Sequence, residues 1–329
     1  MKKKILLLAV LGALMLFLFS GCMYQKIGAD INADGSGTVF ITEGYAKSYY
    51  EEMVSIGTIT KEELDTFKKK ATKVKQNGKI YYCVTEETKF SNPAKLEKIL
   101  SKDGQYVHAD ESTFFMINET ELEEAEDLST EEIKELLYME ITVTFANPIQ
   151  KHIGGKLSND NKTITWDMDE ILKAKDLYAA TTTETKKAVK VNVGKNKCYK
   201  KAQTIKVNSG AGTVYLDGIQ VTSGKTKAQN GAHTVVIVNQ NGSKKVFDFV
   251  VDTKAPTIQG VKNNKTYANN VKMNFDDEES GIKKVTVNGK KLANRAVKNG
   301  YTVKSNGKYT VKVTDKAGNV KTMKFSIMK

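Results

Sequence analysis

Hydrophobic positions along the chain fall into three successive patterns. Ile5 to Phe19 is an unbroken apolar run, shorter than the ~20 residues a spanning helix needs. From residue 24 the pattern mixes two periods. Residues 24–32 and 37–42 alternate as strands, Val39 and Ile41 against Thr38 and Phe40. "YAKSYYEEMVSIG" predicts a short helix ending at Gly57. "TKEELDTFKKKATKV" predicts a second, opened by Thr60 with Glu63 three residues on, a capping box, and carrying Leu64, Phe67 and Ala71 on one face. "KIYYCVTEETKF" returns to strand, and "SNPAKLEKILSKDG" to helix, with Asn92 as cap, Pro93 at the first position and Gly104 as stop. "QYVHADESTFFMIN" is extended, and "STEEIKELLYM" opens on a second capping box, Ser129 and Glu132. "YMEITVTFANPI" and "NKTITWDMDEI" are strands on either side of Gly154-Gly155.

Residues 180–187, "ATTTETKK", form a polar hinge. Beyond it no helical period persists. Short alternating strands are separated by Asn-Gly, Asp-Gly and Ala-Gly-Asn turns, the pattern of β-sandwiches. Two stretches repeat. "YLDGIQV" (215–221) corresponds to "TVNGKKL" (286–292), and "NGAHTVVIVNQNGSKKVFDFVV" (230–251) to "NGKYTVKVTDKAGNVKTMKFSI" (306–327). Asn230 matches Asn306, Val235 matches Val311, Gly242 matches Gly318 and Phe249 matches Phe325. The first copy is shorter, so its sandwich is expected to be the less complete one.

One stretch opens like a metal site. In "DINADGSGTVFI", Asp30, Asn32, Asp34 and Gly35 match the start of a calcium loop. Such a loop needs a bidentate carboxylate at its twelfth position, which here is Ile41. Asp34-Gly35 is therefore expected to be a hairpin turn. The acidic run Glu119–Glu126 reads as a solvated face. So does Asp276-Asp277-Glu278-Glu279, an inter-strand loop for which a cation held together with Asp315 is the alternative.

Charge divides the chain where the period changes. Residues 22–185 hold 19 Lys and 30 Asp+Glu, residues 186–329 hold 29 Lys+Arg and 8 Asp+Glu, and the whole chain carries +13. Arg295 is the only arginine. A strongly basic half implies a polyanionic neighbour.

The three leading lysines, the apolar run and the small pair Ser20-Gly21 make a secretory leader, cleaved between Gly21 and Cys22. The small-small-Cys ending resembles the lipobox of bacterial lipoproteins, although Phe19 is bulkier than usual three places before the cysteine. That resemblance implies a diacylglyceryl group on Cys22, which becomes the new N-terminus, with palmitate-type chains in the membrane. Export makes nucleic acid a poor partner. Teichoic acids, phosphorylated wall glycans and anionic lipid headgroups fit the basic half better. Of the remaining cysteines, Cys83 and Cys198 lie on opposite sides of the charge divide and read as buried free thiols rather than a disulfide.

With Cys22, the "DINADGSGTVFI" hairpin and the late "VTFANPIQKHIGGKLSNDNKTITWDM" strand pair, residues 22–180 resemble the LppM-type lipoprotein domain. The resemblance implies a secreted, membrane-anchored α+β domain without established enzymatic activity. Members often end in a spanning helix; no later apolar run here has that length. "APTI", "DEESGI" and "NGKYTVKVTDKAGN" resemble bacterial immunoglobulin-like modules of cell-surface proteins.

Catalytic signals are missing from the sequence. His108, His152 and His233 match no metal spacing, there is no G-x-S-x-G elbow or phosphate loop, and Gly210-Ala211-Gly212 has no helix behind it. The expectation is a multidomain chain: signal peptide 1–21, LppM-like α+β domain 22–182, and all-β immunoglobulin-like modules at 188–253 and 254–329. It predicts no catalytic, cofactor or metal residues, a lipid anchor at Cys22 on the extracellular face of the membrane, and a binding or structural role at the membrane–wall interface. A lipid or glycolipid carrier is the alternative. The sequence does not fix the oligomeric state.

Overall fold

The computed structural model describes residues 23–101, 105–118, 129–174, 176–184 and 186–329. The leader, Gly21, Cys22 and the acidic run Glu119–Glu126 lie outside the described residues. Strand predominates, and the strands form several separate sheets. The chain divides into two compact units. One comprises the described residues up to Ala188 with Ala211–Thr213 and Val238–Lys244; the other comprises Val189–Gly210, Val214–Ile237 and Lys245–Lys329.

The first unit runs β1 (Met23–Ile31), β2 (Gly37–Ala46), α1 (Lys47–Ser55), α2 (Lys61–Lys70), β3 (Thr72–Gln76), β4 (Lys79–Phe90), α3 (Pro93–Leu100), β5 (Gln105–Ala109), β6 (Thr113–Asn118), α4 (Thr130–Leu136), β7 (Leu137–Phe145), β8 (Lys151–Ile153), β9 (Lys156–Leu157), β10 (Thr163–Asp167), α5 (Met168–Ala174) and β11 (Asp176–Ala180). One sheet has the order β3-β4-β2-β1-β7-β10-β9, and another β5-β6-β11-β8. Alternation drives the layering: Met139, Ile141, Val143 and Phe145 of β7 point into a core shared with Leu96, Phe114, Met116, Ile164 and Trp166. Full burial of such side chains is worth about 1.5–3 kcal/mol each.

The caps form as the sequence requires. Thr60 and Glu63 make both bonds of their box, as do Ser129 and Glu132, and Asn92 accepts from the Lys95 amide with Pro93 behind it. The first turn is a hairpin: Gly35 sits at φ +76, and Asp34 Oδ1 accepts from the Ser36 amide at 2.9 Å and its hydroxyl at 2.6 Å. Those bonds hold the Asp34 carboxyl below its usual pKa.

One expected helix is shortened. α2 stops at Lys70, so Ala71 is not on its face, and Thr72–Gln76 is strand. The cause is Asn77-Gly78, both at positive φ, a two-residue turn that pairs β3 with β4. Pairing with an existing sheet outweighs the helix propensity of lysine.

Close approach across the sheet demands glycine at position 44. A Cβ there would lie 2.3 Å from the Tyr82 carbonyl oxygen and 2.6 Å from Cys83 Sγ. Gly44→Ala is expected to cost about 1–3 kcal/mol, as overpacking does. Trp166, the one tryptophan and fully buried in this unit, reports the loss as a lower urea midpoint in its emission.

In the second half the repeat is structural. Strands Gly231–Asn239 and Lys244–Val251 of the first copy correspond to Gly307–Asp315 and Val320–Ile327 of the second, and the start and end of each differ by the same spacing as Asn230 and Asn306. Val235 and Val311 are fully buried, Phe249 and Phe325 nearly so. Side-chain bonds repeat as well. Asn230 Oδ1 accepts from the Thr253 amide and Asn306 Oδ1 from the Lys329 amide, each at |i−j| of 23. Asp217-Gly218 and Asn288-Gly289 turn at positive φ, and the first residue of each accepts from a strand amide, Thr234 or Thr310. The second copy packs a five-stranded and a three-stranded sheet over one core. The first copy has a five-stranded sheet and, instead of the three-stranded one, two two-stranded ladders. A short helix, Asn294–Asn299, interrupts the β pattern between Lys290–Lys291 and Tyr301–Val303, ending at Gly300 with φ +85.

Candidate cation site

Three aspartates converge in the second unit. Asp252 follows the last strand of the first repeat, Asp277 lies in the loop after strand Val271–Asp276, and Asp315 ends strand Gly307–Asp315. Each offers a carboxylate oxygen within 4.8 Å of the other two. Asp252 and Asp315 are 0% exposed. These are three of only 8 acidic residues in a half with 29 Lys+Arg.

Backbone and hydroxyl donors hold each carboxylate in place. Asp252 Oδ1 accepts from the Lys254 amide at 3.0 Å and its Oδ2 from Ser280 Oγ at 2.5 Å. Asp277 Oδ1 accepts from the Gly281 amide at 2.6 Å and the Ser280 amide at 3.1 Å. Asp315 Oδ1 accepts from the amides of Gly318 at 2.6 Å and Asn319 at 2.8 Å. Asn319 Nδ2 in turn donates to the Asp252 carbonyl at 2.7 Å, tying the end of one repeat to the other.

Asp315 Oδ2 is buried with no hydrogen-bond partner. A buried carboxylate oxygen without a donor is costly, and like charges beside it raise the cost. Burial pushes the Asp277 carboxyl above its ordinary pKa, and the charges of Asp252 and Asp315 add to that shift despite the opposing Gly281 amide. The arrangement disfavours three bare charges and favours a positive centre among them. Hard carboxylate oxygens suit Ca²⁺ or Mg²⁺. With all three within 4.8 Å of one another, one ion could touch the three carboxylates together.

Part of this site was legible and part was missed. The sequence favoured a solvated loop at Asp276–Glu279 and no metal residues, with a cation held together with Asp315 as the alternative. Asp276 and Glu278 are exposed, as a solvated loop requires, and Glu279 pairs with Lys254 and Asn230. Asp277 alone of the four turns to Asp315. Asp252 was missed, since nothing local marks it except its place beside the repeat boundary. The first repeat carries Asn239 where the second has Asp315, and Asn239 Nδ2 donates to Ser243.

Other candidate residues are dispersed. Asp30, at the start of the apparent calcium loop, is paired within β1 and β2 opposite Thr38. Cys83 is a buried free thiol whose pKa burial raises to about 11, and Cys198 is free and half-buried. His152 contacts the Gly154 carbonyl, and His233 contacts Asp217 and the Gln229 carbonyl. His108 is buried against Glu97 Oε1 at 3.1 Å and Thr213 Oγ1 at 2.9 Å, with Asp110 at 3.8 Å. Burial opposes its charge, but the two carboxylates outweigh burial and hold its pKa above the ordinary value. In the first unit, one surface depression is rimmed by Glu62, Glu63 and Lys70 and another by Lys134, Glu140 and Asp169. Phe67 lines the first and Leu137, Tyr138 and Met168 the second, and both open to solvent, unlike the enclosed chamber a lipid carrier needs.

No family model matches the chain. A curated relative, the outer cell wall protein of Brevibacillus brevis, is 40% identical over 78 residues, which are 23% of this chain and 7% of that protein. The chain thus spans a small fraction of the relative it matches. Among solved structures, the folded domain of LppM from Mycobacterium tuberculosis is 13% identical, covering 50% of this chain and 94% of that one, at a TM-score of 0.28. The four N-terminal immunoglobulin domains of Dscam1 isoform 7.44 are 8% identical, covering 92% and 97%, at a TM-score of 0.20. At these scores neither structural likeness carries an argument.

Proposed function

We propose that the chain is an exported, lipid-anchored protein of the bacterial cell surface, with a non-catalytic binding or structural role at the membrane–wall interface, whose two C-terminal modules are braced by a calcium ion. In this reading residues 22–182 are an α+β domain held at the membrane by Cys22, and residues 188–253 and 254–329 are immunoglobulin-like sandwiches.

The observation that carries the calcium brace is the convergence of Asp252, Asp277 and Asp315 around the unpartnered Asp315 Oδ2. Asp252 belongs to one repeat and the other two to the next, so an ion there fixes the angle between modules. Calcium sites of extracellular modules work at about 10⁻⁴–10⁻³ M, where calcium is abundant outside the cytoplasm. The local match to an outer cell wall protein is in keeping with an envelope location. The depressions of the first unit open to solvent and give the carrier alternative no support.

The basic half is the contact surface for anionic wall polymers in this account. The full chain is expected to be retained on purified wall polymer at low salt and released as salt rises, because screening shortens to about 8–10 Å at physiological ionic strength. Retention that is absent, or indifferent to salt, contradicts the assignment of that partner.

A further inference from the structure

The first unit has an end rich in tyrosine, and the backbone register identifies it as the end next to Cys22. Met23 pairs with Tyr45 of β2 and with Leu137 of β7, Tyr45 pairs with Tyr82 of β4, and Tyr82 pairs with Lys73 of β3. One row across the sheet therefore reads Lys73, Tyr82, Tyr45, Met23, Leu137. Around it lie Tyr24, stacked on Tyr138 at 4.9 Å, and Tyr49 of α1, stacked on Tyr45 at 4.6 Å. Tyr50 packs on Phe67 of α2 at 5.1 Å, and Tyr81 lies 5.5 Å from Tyr24. Tyr24, Tyr45, Tyr49, Tyr50, Tyr81, Tyr82 and Tyr138 are half of the 14 tyrosines in the chain. The outer ones, Tyr45, Tyr49, Tyr50 and Tyr82, are only half-buried. Lysines accompany them: Lys68 lies 5.2 Å over the Tyr82 ring, with Lys69 and Lys70 in the same last turn of α2 and Lys73 exposed in the row. Ile56, which follows α1, is 66% exposed.

We infer that this tyrosine- and lysine-bearing end of the first unit rests on the lipid bilayer, its half-buried rings at the headgroup level. The inference rests on the anchoring of Cys22 proposed above. Consecutive Cα atoms are about 3.8 Å apart, and β1 begins at Met23, so acyl chains on Cys22 leave no linker between the row and the membrane. Tyrosine is enriched at membrane interfaces because one end of its ring system is apolar and the other makes hydrogen bonds in water. Lysine stems lie along such a surface with their charge toward the headgroups. The hairpin turn at residues 32–36 is at the far end of β1 and β2, roughly 30 Å away at about 3.3 Å per residue.

The test uses the full chain purified from membranes and reconstituted in vesicles with lipids brominated high on their acyl chains, which quench tryptophan on contact. Trp166 is fully buried and supplies a constant background. Tyr45→Trp is expected to lose its added emission, and Ala33→Trp, in the turn, to keep it. Ile56→Trp, at an exposed position where folding is not at risk, is expected to behave like Tyr45→Trp. The mass of the N-terminal peptide is read from the same preparation. Acylated Cys22 with equal emission at the two ends, or quenching at Ala33→Trp alone, overturns this inference and leaves the anchor standing. A Cys22 without acyl chains overturns both.

Discussion

Cys22→Ser is expected to remove the protein from the membrane fraction, or to leave it there only with its leader uncleaved. In the proposed reading the acyl chains on Cys22 hold the protein at the membrane, so the effect is expected to be large. Among the described residues no helix is long and apolar enough to cross a membrane. Buried acyl carbons contribute about 0.8 kcal/mol per CH₂, so one chain holds a protein marginally and two hold it stably. On the inference above, the tyrosine-rich end would add contact without chains of its own, and it is not expected to retain the protein once they are gone. Fractionation with metabolic palmitate labelling reads both quantities. A variant that still takes up label, or that stays in the membrane with its leader removed, contradicts the anchor.

Asp315→Asn is expected to abolish the response to calcium and to change the order of melting temperatures. The asparagine oxygen keeps the acceptor that Gly318 and Asn319 use. The substitution replaces the unpartnered oxygen with an amide and removes one of three crowded charges. Without calcium the variant should melt at or above the unchanged protein, because like-charge repulsion is relieved. With calcium at 10–100 times its dissociation constant, the unchanged protein gains about 1.4–2.7 kcal/mol and the variant none. For a module of 60–100 residues each kcal/mol is worth about 4–8 °C. Differential scanning calorimetry with calcium and with chelator gives all four transitions. A variant that melts lower in chelator and still responds to calcium would mean that Asp315 is a structural acceptor and the ion lies elsewhere. Asn239, at the equivalent place in the first repeat, is a natural precedent for asparagine there.

Local signals in the sequence were enough for the caps at Thr60, Asn92 and Ser129, the Asp34-Gly35 hairpin and the repeat, each set by a few adjacent residues. The repeat was the most informative, since matching residues at a constant spacing occupy matching strands, turns and capping bonds. What failed depended on partners distant in sequence. Thr72–Gln76 follows a lysine-rich helix and is strand because β4 is available to pair with it. Helix Asn294–Asn299 is a short excursion that strand alternation conceals. At the candidate site, Asp277 and Asp315 were visible as acidic residues near turns. Asp252 was not, because its relevance comes from Ser280 and Asn319, residues of the next repeat that fix its oxygens. The His108, Glu97 and Thr213 cluster was invisible for the same reason.

The most direct test of the account is calcium binding by the full chain, followed by isothermal titration calorimetry after exhaustive chelation. The account predicts one ion per chain bound with a dissociation constant of about 10⁻⁴–10⁻³ M, and no binding by Asp315→Asn. Binding that is absent in the unchanged protein, or identical in the variant, contradicts the claim that Asp252, Asp277 and Asp315 form a cation site bracing the two repeats.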